Sequence, residues 1–126
     1  MYTIKKEFGF SASHQLLGLK ENHPCSRIHG HNYTVIVTLQ SRSLNKHGFV
    51  MDYRDLEPIK QFINDKLDHQ HLNYVFNHQP SAEKMAESLY HIFSDEFDLG
   101  GKLKSVAVKE TDKTIAIYSP EPIEED

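Results

Sequence analysis

The chain is predicted to fold as an α+β domain in the order ββααββ, and three observations carry that expectation. Two early segments alternate apolar and polar residues with period two, two middle segments place apolar residues at helical spacing, and two short strand-like segments follow a Gly-Gly pair. In the first segment Tyr2, Ile4, Phe8, Phe10 and Ala12 share one parity, while Thr3, Lys5, Glu7, Ser11 and Ser13 share the other. This is the pattern of a half-buried strand. His14 falls on the apolar parity, so its imidazole should point the same way as the core if the strand runs that far.

A polar loop from Gly18 to Arg27 follows, carrying Lys20, Glu21, Asn22, His23 and Pro24 ahead of Cys25. The second strand spans His29 to Ser41, with Tyr33, Val35, Val37 and Leu39 on the parity of His29 and His31. After a connection containing Asn45 and Gly48, Asp52 is the expected N-cap of a helix whose Leu56, Ile59, Phe62, Ile63 and Leu67 form one face, ending near Asp68. Ser81, behind Pro80, is the expected cap of a second helix with Ala82, Met85, Ala86, Leu89, Ile92, Phe93 and Phe97 on one side. Gly100 and Gly101 close it, and strands over Leu103–Lys109 and Thr114–Ser119 flank a turn at Thr111–Lys113. The acidic stretch Glu121–Asp126 reads as a frayed tail, leaving 1–120 as a single domain.

A length of 126 residues, 38% of them hydrophobic, suits one domain with a modest core. The net charge of -4 argues against a general nucleic-acid surface, which needs a basic patch. One cysteine cannot form an internal disulfide, and the N-terminus carries no apolar run resembling a signal peptide or a membrane span, so a reducing cytoplasm is the expected setting. The nine histidines are scattered between His14 and His91 rather than gathered at one end as in a tag.

Cys25 to His31 reads C-S-R-I-H-G-H. Residues i and i+2 of a strand share a face, so His29 and His31 can present both imidazoles to one cation. A lone histidine on an apolar strand face is usually a hydrogen-bonded core residue. If the first two strands pair antiparallel, however, His14 comes opposite His29 and His31, and three inward imidazoles are hard to satisfy without a metal. Zinc is the favoured ion, with iron, cobalt and nickel compatible with three nitrogens.

Cys25 could complete a closed structural site or act as nucleophile or base beside an open one, and spacing does not separate these roles. Arg27 and a metal nearby would both favour its thiolate. Asp68 directly precedes His69 in L-D-H-Q-H-L-N. The pair suits a proton relay, although a histidine near a helix C-terminus is favoured by the dipole whatever its role. Glu110 ends the apolar parity of Val106 and Val108. A carboxylate there can accept two parallel N–H bonds from an amidine-like ligand edge, or it can be an exposed residue past the strand end.

Taken in order, F-S-A-S-H ending at His14, C-S-R-I-H-G-H-N-Y from Cys25, F-V-M-D-Y, L-D-H-Q-H-L-N, P-S-A-E from Pro80 and V-K-E-T around Glu110 resemble the family of 6-pyruvoyltetrahydropterin and 6-carboxytetrahydropterin synthases over nearly the whole chain. The resemblance implies a zinc-dependent lyase acting on 7,8-dihydroneopterin triphosphate. It assigns His14, His29 and His31 to zinc, Cys25 to proton abstraction, Asp68 and His69 to a relay, and Glu110 to the pterin. It also places Ser81 in a pterin-contacting turn.

The implied fold is the tunnelling fold, a four-stranded antiparallel sheet with two helices on one face, assembled as a homohexamer of two stacked trimers with active sites between subunits. No nicotinamide, flavin, nucleic acid or membrane partner is implied. The three residues between Cys25 and His29 resemble the bacterial carboxy synthases of queuosine biosynthesis, whereas animal pyruvoyl synthases typically have a longer spacer. A non-catalytic, zinc-stabilised pterin-binding assembly is the alternative of another class. Pro24 and Ala82 depart from the family pattern, which often has a lysine and a hydroxyl residue at those places.

Overall fold

The structure, a computed structural model, describes residues 1–122. Strands β1 (Tyr2–His14) and β2 (His29–Ser41) pair antiparallel in unbroken register from Tyr2 opposite Ser41 to His14 opposite His29. That register sets Phe8 beside Val35 and Phe10 beside Tyr33 on one face. A slip of one residue would turn every one of these side chains to the other side. Strand β4 (Leu103–Lys109) pairs antiparallel with β2, aligning Val108 with Val35 and Val106 with Val37, and β5 (Ala116–Tyr118) pairs antiparallel with β4.

The helical layer covers this apolar face. Asp52 caps as expected, accepting the Arg54 N–H, but the turn it opens over Tyr53–Leu56 is a 3-10 turn, and α1 proper spans Glu57–Lys66. Pro58 sits in its first turn, where a missing N–H costs nothing. Ser81 caps α3 (Ala82–Glu96) by accepting the Lys84 N–H at 3.2 Å. Val35, Val37 and Leu39 from the sheet meet Ile59 and Ile63 from α1 and Met85, Leu89 and Phe93 from α3 in one core, all of them essentially inaccessible to solvent. Gly100 and Gly101 follow with φ of +62° and +69°, a left-handed pair that suits glycine and turns the chain into β4.

Two elements correct the expected four-stranded antiparallel sheet with two helices. A fifth, two-residue strand β3 (Gln70–His71) runs parallel to β1, and a short helical turn α2 (Leu72–Val75) follows it. The sheet order is β3-β1-β2-β4-β5, a mixed sheet. A Gln-His pair has no hydrophobic alternation to announce a strand. Main-chain bonding to the edge of β1 creates it, beginning with the His69 N–H donated to the Ser11 carbonyl at 2.6 Å. Strand β5 is also shorter than the expected Thr114–Ser119.

The opposite face of the sheet carries Thr3, Lys5, Ile36, Thr38, Gln40 and Ala107 along a broad groove, with no helix laid over it among the described residues. Of the acidic tail, Glu121 lies 3.9 Å from the Lys104 ammonium, and residues 123–126 lie outside the described residues. Among the described residues no helix is long and apolar enough to cross a membrane.

Candidate metal centre and active site

The pairing of β1 with β2 brings three histidines to one end of the core. His14 ends β1 directly opposite His29, and His31 lies on the same face one step along β2. The ring centroids are 4.5, 4.9 and 5.2 Å apart, and one donor atom from each ring lies within 4.8 Å of the others. His14 is fully buried and the other two are partly buried.

The hydrogen bonds around the rings say what this cluster can hold. His14 donates Nδ1–H to the Pro80 carbonyl at 2.7 Å, and His29 donates Nδ1–H to the Arg27 carbonyl at 2.8 Å. A carbonyl oxygen only accepts, so in each neutral ring the proton is on Nδ1 and a bare lone pair remains on Nε2. Those two Nε2 atoms face each other at 2.9 Å. Two lone pairs at that distance repel unless a cation lies between them.

His31 Nε2 is also buried and has no hydrogen-bond partner, a condition that costs about 1–3 kcal/mol when left uncompensated. A set of imidazole nitrogens oriented by outer carbonyls is the arrangement zinc takes, and those outer bonds hold each ring in the ligating tautomer. The donor set therefore fits the expected ion.

Burial pushes the pKa of both His14 and His31 below the usual 6.5, opposed at His14 by the Pro80 bond and Glu110 and at His31 by Glu110. Both rings are thus kept neutral, as ligation requires. The sign of the consequence follows from linkage. With folded pKa values below the unfolded ones, the unfolded chain binds more protons as pH falls, so stability present above about pH 6.5 is lost below it. The urea midpoint of metal-free protein is expected to drop between roughly pH 7 and pH 5. A flat midpoint would show that these rings are not desolvated.

Cys25 lies in a 3-10 turn, Pro24–Ser26, as a partly exposed free thiol. Its carbonyl accepts the Leu16 N–H at 2.9 Å, which pins the turn to the chain just beyond His14. Its sulfur is not among the donor atoms that converge with the histidines. Glu110 follows β4 immediately and places Oε2 3.8 Å from His31 Nε2, so the carboxylate at the end of the Val106–Val108 parity does reach the histidine cluster.

Asp68 and His69 sit at the β3 edge of β1. Asp68 accepts the Ser11 N–H at 2.9 Å through Oδ1 and meets His69 Nδ1 at 2.9 Å through Oδ2. The hydrogen bonds from Ser11 and His69 hold its carboxyl below the usual range. His69 adopts φ +61°, beyond the end of α1 rather than within its last turn, and its ring is 82% exposed. The pair is fastened to the edge of β1, and His69 lines a groove of about 640 Å³ together with Ser11, Ser13, His31, Asn32 and His71. No hydrogen bond joins Cys25 to either residue among the described residues, because the pair hangs on Ser11, whose parity is opposite to that of His14.

The chain matches the 6-pyruvoyl tetrahydropterin synthase family over residues 3–121. It belongs to that family. It is 33% identical over 124 residues to the 6-carboxy-5,6,7,8-tetrahydropterin synthase of Synechocystis, spanning 94% of this chain and 93% of the relative. The human 6-pyruvoyl tetrahydrobiopterin synthase is 30% identical over 133 residues, spanning 94% and 91%. The fold superposes on that of the Caenorhabditis elegans 6-pyruvoyl tetrahydropterin synthase with a TM-score of 0.84, at 24% identity and with 95% and 96% of the two chains covered.

Within this 6-pyruvoyl tetrahydropterin synthase family member, Ser81 adjoins the centre through Pro80, whose carbonyl holds His14, while its own hydroxyl caps α3. Ala82 is 8% exposed and packs in the core, so a hydroxyl at this position would be desolvated. Tyr33, on the core parity of β2 in the sequence, also borders the cluster. Its ring stacks on Phe10 at 4.9 Å and lies 5.3 Å from His31, and its buried hydroxyl has no partner. Burial, and then Glu110, push its pKa above the usual tyrosine value. The available signal was its parity, two residues after His31. His71, which bonds Ser13 Oγ at 2.8 Å in the outer groove, was likewise not singled out.

Proposed function

We propose that the chain is a 6-carboxy-5,6,7,8-tetrahydropterin synthase. In this reading it converts 7,8-dihydroneopterin triphosphate to 6-carboxytetrahydropterin with release of acetaldehyde and triphosphate, in the biosynthesis of queuosine and related 7-deazaguanines. The single observation that carries the product choice is the three-residue spacer between Cys25 and His29. Relatives named for either product are similarly distant, so their names alone do not decide it.

His14, His29 and His31 would hold zinc, which when bound supplies a Lewis acid toward the hydroxyls of the substrate side chain. Glu110, beside His31, accepts paired N–H bonds from the amidine edge of the pterin and so orients the ring. Cys25, as thiolate, removes a proton from the side chain. Asp68 orients the His69 ring, which carries a proton on the other side of the reacting carbons. The exposed His69, fastened to the far side of β1, suits a site completed by a second subunit. The uncovered sheet face is consistent with assembly into the expected homohexamer. The N-terminus of α3, behind Ser81, offers backbone N–H groups to the ligand.

A lone working thiol suits a reducing cytoplasm. The test is product analysis. Metal-loaded protein given 7,8-dihydroneopterin triphosphate is expected to yield acetaldehyde and a 6-carboxypterin, and a 6-pyruvoyl product alone would support the pyruvoyl reading instead.

A further inference from the structure

Cys25 is held by a turn only three residues long, which by itself gives few backbone bonds. The side chain that completes it is His23. Its Nδ1 accepts the Cys25 N–H at 3.0 Å, so the neutral ring carries its proton on Nε2. Its carbonyl accepts both the Ser26 N–H at 2.9 Å and the Ser26 hydroxyl at 2.7 Å. The following proline biases His23 toward extended backbone, and it adopts φ -70° and ψ 130°, the conformation an N-cap needs. Pro24, a departure from the family pattern, therefore fits the first position of the turn and presets its cap.

The C-terminal side of the same turn is tied to the metal centre. Arg27 donates its N–H to Pro24 and accepts the His29 Nδ1–H on its carbonyl. The thiol-bearing turn is thus fixed by His23 at its start and by a zinc-ligand contact at its end.

We infer that His23 is a positioning residue for Cys25: by accepting the Cys25 N–H it holds the turn that presents the thiol. The role rests on the assignment of Cys25 as the base, and it acts through Cys25 rather than on substrate.

The test compares His23→Ala with His23→Asn, since asparagine is a strong cap whose amide oxygen can accept the same N–H. Amide hydrogen exchange resolved at Cys25 by NMR reads the bond directly, separately from Ser26, whose N–H bonds the His23 carbonyl. In His23→Ala, exchange at Cys25 is expected to accelerate and kcat to fall, each by about fivefold, the change that loss of one cap allows. KM and bound zinc should stay at wild-type values. His23→Asn should restore both exchange and kcat.

Unchanged exchange in His23→Ala would overturn the inference, as would equal impairment of the two variants. Loss of zinc in His23→Ala would also overturn it, by showing a general collapse of the loop. Should Cys25→Ala prove active, the base assignment fails on its own, while the exchange measurement still reports whether His23 holds the turn.

Discussion

His31→Ala is expected to lose the bound metal and, with it, turnover. His31 is the cleanest of the three proposed ligands to remove. His14→Ala would break the bond to Pro80 and empty a fully buried site, and His29→Ala would release the Arg27 carbonyl. His31 Nε2, by contrast, makes no hydrogen bond and lies unpartnered beside Glu110, so its removal relieves a buried polar atom rather than orphaning one. Substituting an outer partner of a metal ligand typically costs about 10–100-fold in affinity, and loss of one of three direct ligands should exceed that. Elemental analysis of the purified variant is expected to find well under one metal per chain, with a retained circular dichroism spectrum. A His31→Ala protein that keeps a full complement of zinc would remove this residue from the ligand set.

Cys25→Ala should do the converse, keeping the metal and losing most activity. The converging donor atoms are all imidazole nitrogens, and the Cys25 sulfur is outside the group. A positioned general base typically contributes about 10²–10⁴-fold, which sets the expected fall in kcat. Metal content should match that of the unsubstituted protein. Cobalt substitution gives an independent check, because a strong thiolate-to-metal charge-transfer band in the resting protein would place Cys25 on the metal and support a closed structural site. An active Cys25→Ala enzyme would refute the base assignment.

Elements that bury one regular face were legible from sequence. The alternation in Tyr2–His14 and His29–Ser41 set strand boundaries that match the structure, and Ser81 marked the start of α3. The histidine cluster was legible for the same reason. Strand parity placed His29 and His31 on one face, and antiparallel pairing put His14 against His29. Strand β3 was not legible, because Gln70 and His71 carry no hydrophobic pattern and are held by edge bonding to β1. Nor was the first turn after Asp52 read as a 3-10 turn, since the same cap and apolar spacing serve either geometry.

By itself the sequence determined the residue types, their faces and their order, because side-chain parity is a local property of the backbone and a short motif keeps its own spacing. Tertiary structure decided the rest. The carbonyls of Pro80 and Arg27, which turn the Nε2 lone pairs of His14 and His29 toward each other, are backbone groups that every residue possesses, so composition could not single them out. The separation of Asp68 and His69 from Cys25 depends on which side of β1 a later loop attaches to, and that is settled by long-range packing. The partnerless nitrogen of His31 and hydroxyl of Tyr33 likewise become visible only when the core closes around them.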